Sequence, residues 1–445
     1  MGFIYIISYG FLQTYWSPYY KVVKNGLNIS VNSMSHQSMR PASDAGLLWH
    51  HPYTVFNKSF DDVLIIGSGS GTDTAVALYH NVSSIDAVEI DPVIIELGKK
   101  YHPTNPYGEP SVNVINTDAR SYLMQSDKKY DLIIYGLTDS LTLLSSYGNL
   151  RLESYLYTVD AFREVKSHLR EDGFFHRNAY PDRWFTDKLA LMFYEAFDQN
   201  PYVLSFNDSN TILTLVGAPV DGLAKPAYVI STDVSAATDD WPFFYLRKPS
   251  IPKIYVDALL TIILVTIAFF VVAGPKSLYR INPHFFFLGA AFMLLETKSI
   301  VNFSLLYGST WVVDSLVFFS ILLMVLLAVY FVERHETGSM RMWFALLFIL
   351  LSANYLIPLS VFLSHDLLSR YVYASLFFFS PIFVANVIFS SSFKDAKESN
   401  IDYASNILGS MVGGLTEYLS LLFGYSNLII IAALFYFLAF YKIRR

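Results

Sequence analysis

Asp139 follows a run of strand-forming residues, Tyr130 to Tyr135, within Gly136-Leu137-Thr138-Asp139-Ser140. Open α/β folds gather their ligands at the carboxyl edge of the sheet, so chemistry is expected at this carboxylate. A polar run earlier in the chain, Asn32-Ser33-Met34-Ser35-His36-Gln37, offers further donors and acceptors. It reads as a loop, in which His36 either positions a substrate or is merely solvated.

The element that must position these residues is Asp62 to Asp91, DVLIIGSGSGTDTAVALYHNVSSIDAVEID. Val63 to Ile66 form a buried-strand run that stops at Gly67-Ser68-Gly69-Ser70-Gly71, and a helical pattern follows over Ala75 to Leu78. Glycines suit such a turn because positive φ and close approach of a ligand both exclude a Cβ. A second strand, Ile85 to Ile90, carries Glu89 and Asp91 about 20 residues past the glycines, the distance of a ribose-binding carboxylate in a nucleotide-binding βαβ unit. Gly67, Gly69 and Gly71 with Glu89 and Asp91 therefore read as a nucleotide site.

A third strand, Val112 to Ile115, leads into Asn116-Thr117-Asp118-Ala119-Arg120. Asp118 can accept a hydrogen bond from an adenine amino group while the Ala119 N–H serves a ring nitrogen; Asp118 can equally cap the helix that starts at Ala119. The segment 141–158 is long enough to cover a ligand. Within it, Arg151 pairs either with a ligand carboxylate or with Glu153 at the surface. A helix over Tyr157 to Leu169, a stop at Glu171-Asp172-Gly173, a strand from Phe174, a helix over Lys188 to Phe197 and strands near Val203 and Leu213 continue the α/β pattern.

Of 445 residues, 53% are hydrophobic, 17% aromatic and only 15% charged, against about 25% charged in soluble domains. The shortage is concentrated after residue 253. No cysteine is present, which excludes disulfides, thiolate metal sites and Cys nucleophiles. No His/Asp/Glu set has metal-ligand spacing, so no metal is expected, and His50 and His51 read as solvated. A net charge of -6 without a basic block leaves nucleic-acid binding no electrostatic footprint.

Residues 1–16 carry no charge and read either as the end of a membrane helix or as strands. Ser17 to Val23 and Leu27 to Val31 form a hairpin across Asn25-Gly26, so residues 1–55 are a small β segment before an α/β domain over 56–245. Thr238-Asp239-Asp240-Trp241-Pro242 close that domain, as a cap beside an aromatic membrane belt or as a holder for an amine. From 246 to 445 an all-α membrane domain is expected, with seven hydrophobic segments near 255–274, 284–305, 311–332, 342–363, 371–390, 403–423 and 427–442. Each approaches the ~20 residues that cross a bilayer. Glu296, Lys298 and Glu417 lie inside them as a transport path or a structural polar contact, and Asn406, Gly409, Gly413 and Gly414 provide close helix packing.

Taken together, WSPYYKV (16–22), SHQ (35–37), VLIIGSGSGTD, AVEIDP, TDAR, YDLIIYGLTDS, RLESYLYT and TDDWPFFYL, then FLGAAFMLLETKSI, YGSTW and NILGSMVGGLTEY, resemble multi-pass membrane proteins that carry a spermidine synthase-like, or polyamine aminopropyltransferase, domain. These belong to the S-adenosylmethionine-dependent methyltransferase superfamily. The resemblance implies a Rossmann-like domain that binds S-adenosylmethionine or its decarboxylated form, with Glu89 on the ribose and Asp118 and Ala119 at the adenine. Three positions depart from the soluble enzymes: Ser70 replaces the acid of the glycine loop, with Asp73 three residues on; Tyr20 replaces a glutamine; and Gly136 replaces the first Asp after the fourth strand, which takes the proton from the attacking amine.

Asp139 is then the best remaining proton acceptor, with His36 or Asp73 behind it, and Tyr20, Gln37 and Arg151 are substrate-side residues. The expected function is aminopropyl transfer to a small amine or polyamine. Methyl transfer to a membrane-near acceptor and a non-enzymatic sensor or transporter are the rivals. The partners are a lipid bilayer and an amine, with a homodimer allowed. Basic residues flanking the spans place the soluble domain outside the cytoplasm, whereas a nucleotide cosubstrate argues for the cytoplasmic face of a prokaryotic-type cell membrane; the reading leans to the latter.

Overall fold

The computed structural model describes residues 12–55, 58–136, 138, 153–179, 183–205, 212–217, 228–273, 280–363 and 367–443. The described chain divides into two units, the first ending at Lys248 and the second beginning at Pro249. The first unit opens with a four-stranded antiparallel sheet, β1 (Leu12–Trp16), β2 (Lys21–Asn25), β3 (Asn28–Val31) and β4 (Met34–Ser38), in chain order. Residues 12–16 are thus a strand. Val22, Ile29 and Val31 are fully buried and pack with Tyr20 and Met39 on Ile94 and Leu97.

The run 34–38, expected as a loop, is a strand. Asn32 (φ 47°) and Ser33 (φ 69°) both occupy the left-handed region, and Val31 pairs with Met34, a two-residue hairpin of the type whose twist matches the strands. Met-Ser-His-Gln-Ser carries no apolar alternation, so its sequence gives no strand signal.

The second sheet has seven strands: β5 (Asp62–Ile66), β6 (Ser84–Glu89), β7 (Val112–Asn116), β8 (Tyr130–Tyr135), β9 (Leu169–Ala179), β10 (Tyr202–Ser205) and β11 (Ile212–Gly217), in the order β10-β11-β9-β8-β5-β6-β7. β5 to β9 are mutually parallel and β11 runs antiparallel to β9 and β10, the Rossmann-like order of a methyltransferase-type domain. Val63 to Ile66 are all fully buried, as expected for a strand covered on both faces. The helices around the sheet are α1 (Leu47–Thr54), α2 (Thr72–Tyr79), α3 (Pro92–Tyr101), α4 (Ala119–Gln125), α5 (Val159–Ser167) and α6 (Arg183–Phe197). The order reverses between β5 and β8, which opens a crevice at their carboxyl ends.

Glu171-Asp172-Gly173 does not end an element. β9 starts at Leu169 and runs through these residues, and its register against β8 shifts between Tyr130 and Leu132. The irregularity absorbs the glycine without ending the strand.

The stretch 238–244 folds into the first unit, not into an interfacial belt: Trp241, Phe243 and Phe244 are buried and Phe244 stacks on Tyr157 at 4.6 Å. Asp239 accepts from Arg120 (2.9 Å) and from Thr158 Oγ1 (2.7 Å), and Glu164 lies 3.1 Å from the same guanidinium. Trp241 does hold an amine, but an internal one: Lys188 Nζ sits 4.6 Å above its ring and donates to the Phe243 (2.9 Å) and Leu246 (2.5 Å) carbonyls.

The second unit is helical: α7 (Lys253–Ala273), α8 (Pro283–Tyr307), α9 (Trp311–Arg334), α10 (Met340–Leu356), α11 (Ser360–Leu363), α12 (Leu367–Lys394), α13 (Ser399–Thr416), α14 (Ser420–Phe423) and α15 (Asn427–Ile443). Among the described residues three helices, in α8, α9 and α12, are long and apolar enough to cross a membrane. α8 and α13 pack at backbone distance. A Cβ on Gly409 would sit 1.8 Å from the Phe286 carbonyl, and one on Gly413 2.4 Å from that of Ala290. Gly414 meets nothing within 4 Å and takes no part. Asn406 Nδ2 donates to the Phe285 carbonyl (3.1 Å), and Thr297 Oγ1 donates to Glu417 (3.0 Å). Glu417 sits where α13 tightens into a 3₁₀ turn over 417–419.

Candidate active site

A cavity of about 340 Å³ opens at the carboxyl ends of β5, β6, β7 and β8, within the range of ~300–1,000 Å³ for small-molecule sites. Its wall contains Tyr20, His36 and Gln37 from the N-terminal sheet, Gly67, Gly69 and Asp73 from the first βα turn, Glu89 from β6, Asp118 and Ala119 after β7, and Thr138 after β8. The sheet order arranges these along a line: Asp118 beyond β7, Glu89 at β6, the glycines at β5 and Thr138 at β8. Residues far apart in sequence thus share one crevice.

The glycine loop shows why its sequence is constrained. Gly67 (φ 69°), Gly69 (φ 57°) and Gly71 (φ 105°) are all left-handed. A Cβ on Gly67 would lie 2.2 Å from Thr138 Cγ2 and one on Gly69 2.5 Å from Gln37 Oε1. Gly71 starts α2 and is not part of the cavity wall. The loop is held by Tyr107, which donates to the Gly69 carbonyl (2.6 Å), and by Gln37 Oε1, which accepts from Ser70 N and Ser70 Oγ, both at 2.8 Å. Gln37 therefore positions the loop as well as lining the cavity. Ser70, in place of an acid, serves that contact.

Glu89 accepts from Gly69 N through one oxygen and from Asp91 N through the other, both at 2.9 Å. Burial pushes its carboxyl up to about 7 against the pull of these N–H groups. The remaining lone pairs are where two vicinal hydroxyls can donate. Burial also raises Asp73, to about 6, opposed by its own backbone N–H and the Trp49 side chain. Asp118 is a cap as well as a wall residue, accepting from Ser121 N at 2.9 Å. Asp91 caps α3 through Val93 N at 2.8 Å and does not line the cavity.

Tyr20 and His36 face the cavity together, their rings 6.3 Å apart. Burial raises the Tyr20 hydroxyl, and the charges of Glu89, Asp91 and Glu153 add to it. Asp139 and Arg151 lie outside the described residues. His50 is not solvated: its Nδ1 lies 2.9 Å from His80 Nε2 and its Nε2 2.9 Å from the Ala42 carbonyl. Among the described residues no group of three or more His, Asp or Glu could hold a metal.

Sequence reasoning missed Glu153. It enters the sequence reading only as one of two alternative partners for Arg151, at the surface; it is 2% exposed, lines the cavity and accepts from Tyr245 Oη at 2.9 Å. The available signal was one acid beside the aromatic run Tyr155-Leu156-Tyr157, all of it buried.

This fold gathers a glycine turn, strand-end carboxylates and capped helix starts around one crevice. Residues 46–203 match the spermine/spermidine synthase domain family. Over 168 residues the chain is 30% identical to the polyamine aminopropyltransferase of Korarchaeum cryptofilum, covering 36% of this chain and 50% of that protein. It is 36% identical over 117 residues to polyamine aminopropyltransferase 1 of Aquifex aeolicus, covering 26% and 39%. The chain spans about half the length, or less, of these relatives. Two solved structures align with part of the chain. A spermidine synthase bound to the transition state analogue AdoDATO is 18% identical (TM-score 0.37; 47% of this chain, 75% of that one). The Thermotoga maritima spermidine synthase is 15% identical (TM-score 0.36; 54% and 86%).

Proposed function

We propose that the first unit transfers an aminopropyl group from decarboxylated S-adenosylmethionine to an amine. The observation that carries this reading is the cavity that joins Glu89, Asp118 and the glycine turn, all within the stretch 46–203 that matches the spermine/spermidine synthase domain, to Tyr20 and His36 of the preceding N-terminal sheet. Glu89 takes the ribose hydroxyls, and Asp118 with the Ala119 N–H takes the adenine edge. The sulfonium then falls near the switch point between β5 and β8.

In the reaction, the lone pair of an uncharged amine nitrogen forms a C–N bond to the propyl carbon beside sulfur. The C–S bond breaks, its electrons staying on sulfur as a neutral thioether, and the nitrogen sheds one proton. A carboxylate within hydrogen-bond reach supplies the acceptor, and Asp139 is assigned that role, with His36 or Asp73 as substitutes.

Gly136, where a carboxylate serves the soluble enzymes, favours a second reading: methyl transfer from intact S-adenosylmethionine, which needs no diamine site. The second unit is read as a multi-pass anchor in a cell membrane, with the first unit on the cytoplasmic side, where the nucleotide is made. Calorimetric titration of the detergent-solubilised full chain with both nucleotides separates the readings. Tighter binding of the decarboxylated form supports aminopropyl transfer, tighter binding of the intact form supports methyl transfer, and binding of neither removes both.

A further inference from the structure

We propose that the second unit binds an alkali-metal cation at Glu417, through residues that take no part in the nucleotide crevice. Glu417 is 2% exposed and opens the 3₁₀ turn over 417–419 that follows α13. One of its oxygens, Oε2, accepts from Thr297 Oγ1 at 3.0 Å. Thr297 lies near the middle of α8, a helix long and apolar enough to cross a membrane. With α8 spanning a bilayer, the carboxylate stands near mid-depth, where an uncompensated charge is costly.

The other groups that converge here are oxygens. Glu417 Oε1 is buried without a hydrogen-bond partner, and so is the Ser420 hydroxyl. Side chains three residues apart eclipse in a 3₁₀ turn, so Glu417 and the fully buried Ser420 share one face. Tyr425, also fully buried, turns its hydroxyl toward Ser420 and the Glu417 charge. Among the described residues no Lys, Arg or His forms an ion pair with Glu417. Lys298, next to Thr297, donates instead to Ser426 Oγ at 3.4 Å.

Proton uptake alone does not satisfy this arrangement. A carboxyl group protonated at Oε1 presents a donor in place of an acceptor, still without a partner within hydrogen-bond distance. A metal cation contacts all the oxygens at once. Carboxylate and hydroxyl oxygens are the hard donors that suit closed-shell ions, and one buried carboxylate balances one positive charge. The second acid, Glu296, is half-buried and adds to the negative field at Glu417 without joining it in the buried face. The carboxyl end of α13 contributes partial negative charge, and interrupted membrane helices are where such ions are coordinated.

Thermal melting of the full chain in detergent, at fixed pH and ionic strength in sodium, potassium or choline chloride, tests this. Sodium or potassium should raise the melting temperature above that in choline, and the rise should saturate, since a ligand of the folded state stabilises it. Equilibrium dialysis with radioactive sodium should show one ion per chain. Glu417→Gln keeps the shape without the charge and should raise the ion's Kd about tenfold or more; Ser420→Ala, which removes one oxygen, should raise it by a smaller factor. Glu398→Gln, which removes an exposed ion pair with Arg280, is the control and should leave the Kd unchanged. Equal melting in all three salts, or a dependence that survives in Glu417→Gln, overturns the site. Melting that responds to pH and not to the cation assigns Glu417 a proton alone and overturns it as well. If Glu417→Gln does not fold, Ser420→Ala decides, and an unchanged Kd there overturns the site.

Discussion

Gly136 lies against Gly67 where β8 and β5 end: the Gly136 N–H donates to the Ile66 carbonyl at 2.9 Å, and a Cβ at 136 would stand 2.7 Å from the Gly67 oxygen. The obstacle is backbone and cannot rotate aside. Restoring the acid with Gly136→Asp is therefore expected to harm the protein. It must displace the glycine turn, at about 1–3 kcal/mol of overpacking, and should weaken nucleotide binding along with thermal stability. A stable Gly136→Asp variant with faster turnover would show that this position retains its room.

Glu89 sets a pH dependence of opposite sign for stability and for binding. Its carboxyl is raised from 4.5 to about 7 by burial, so the folded protein holds a proton that the unfolded chain has lost. The stability of the unliganded chain should fall as pH rises from about 4.5 through 7, and Asp73, raised to about 6, acts in the same direction. Ribose hydroxyls need the ionised form as acceptor, so nucleotide affinity should instead rise, about tenfold between pH 6 and 8. Calorimetry across this range checks it, and Glu89→Gln should flatten the binding profile.

Arg120 is 4% exposed and joins α4 to the closing stretch through Asp239 and to α5 through Glu164. Arg120→Met leaves both acids without their cation. The loss should fall toward the lower end of about 3–5 kcal/mol, since each acid keeps some access to solvent. A thermal melt of the full chain in detergent measures it. An unchanged midpoint would mean that the pair is not maintained in solution.

In the second unit, Gly409→Leu should separate α8 from α13, because its Cβ would meet the Phe286 carbonyl at 1.8 Å. Gly414→Leu, with nothing within 4 Å, serves as the matched control. Melting of the two variants in detergent should differ clearly, with only the first destabilised.

The strand, glycine turn, helix and strand-end carboxylate that form one side of the cavity were legible because their spacing is local. The opposite wall was not. β4 carries His36 and Gln37 on a strand without apolar alternation, and Glu153 lines the cavity while accepting from Tyr245, 92 residues away in sequence. The 238–244 stretch misled for a related reason. An acidic and aromatic run just before apolar helices matches a membrane belt in composition, while its burial depends on Arg120 and Lys188, far away in sequence.

The most direct test of aminopropyl transfer is mass spectrometry of the products formed by the full chain in detergent from decarboxylated S-adenosylmethionine and 1,4-diaminobutane. The expected result is one triamine and one nucleoside thioether per turnover, lost in Asp139→Asn while nucleotide binding persists. Intact substrates after prolonged incubation, alongside methylated product when S-adenosylmethionine is supplied, would contradict it.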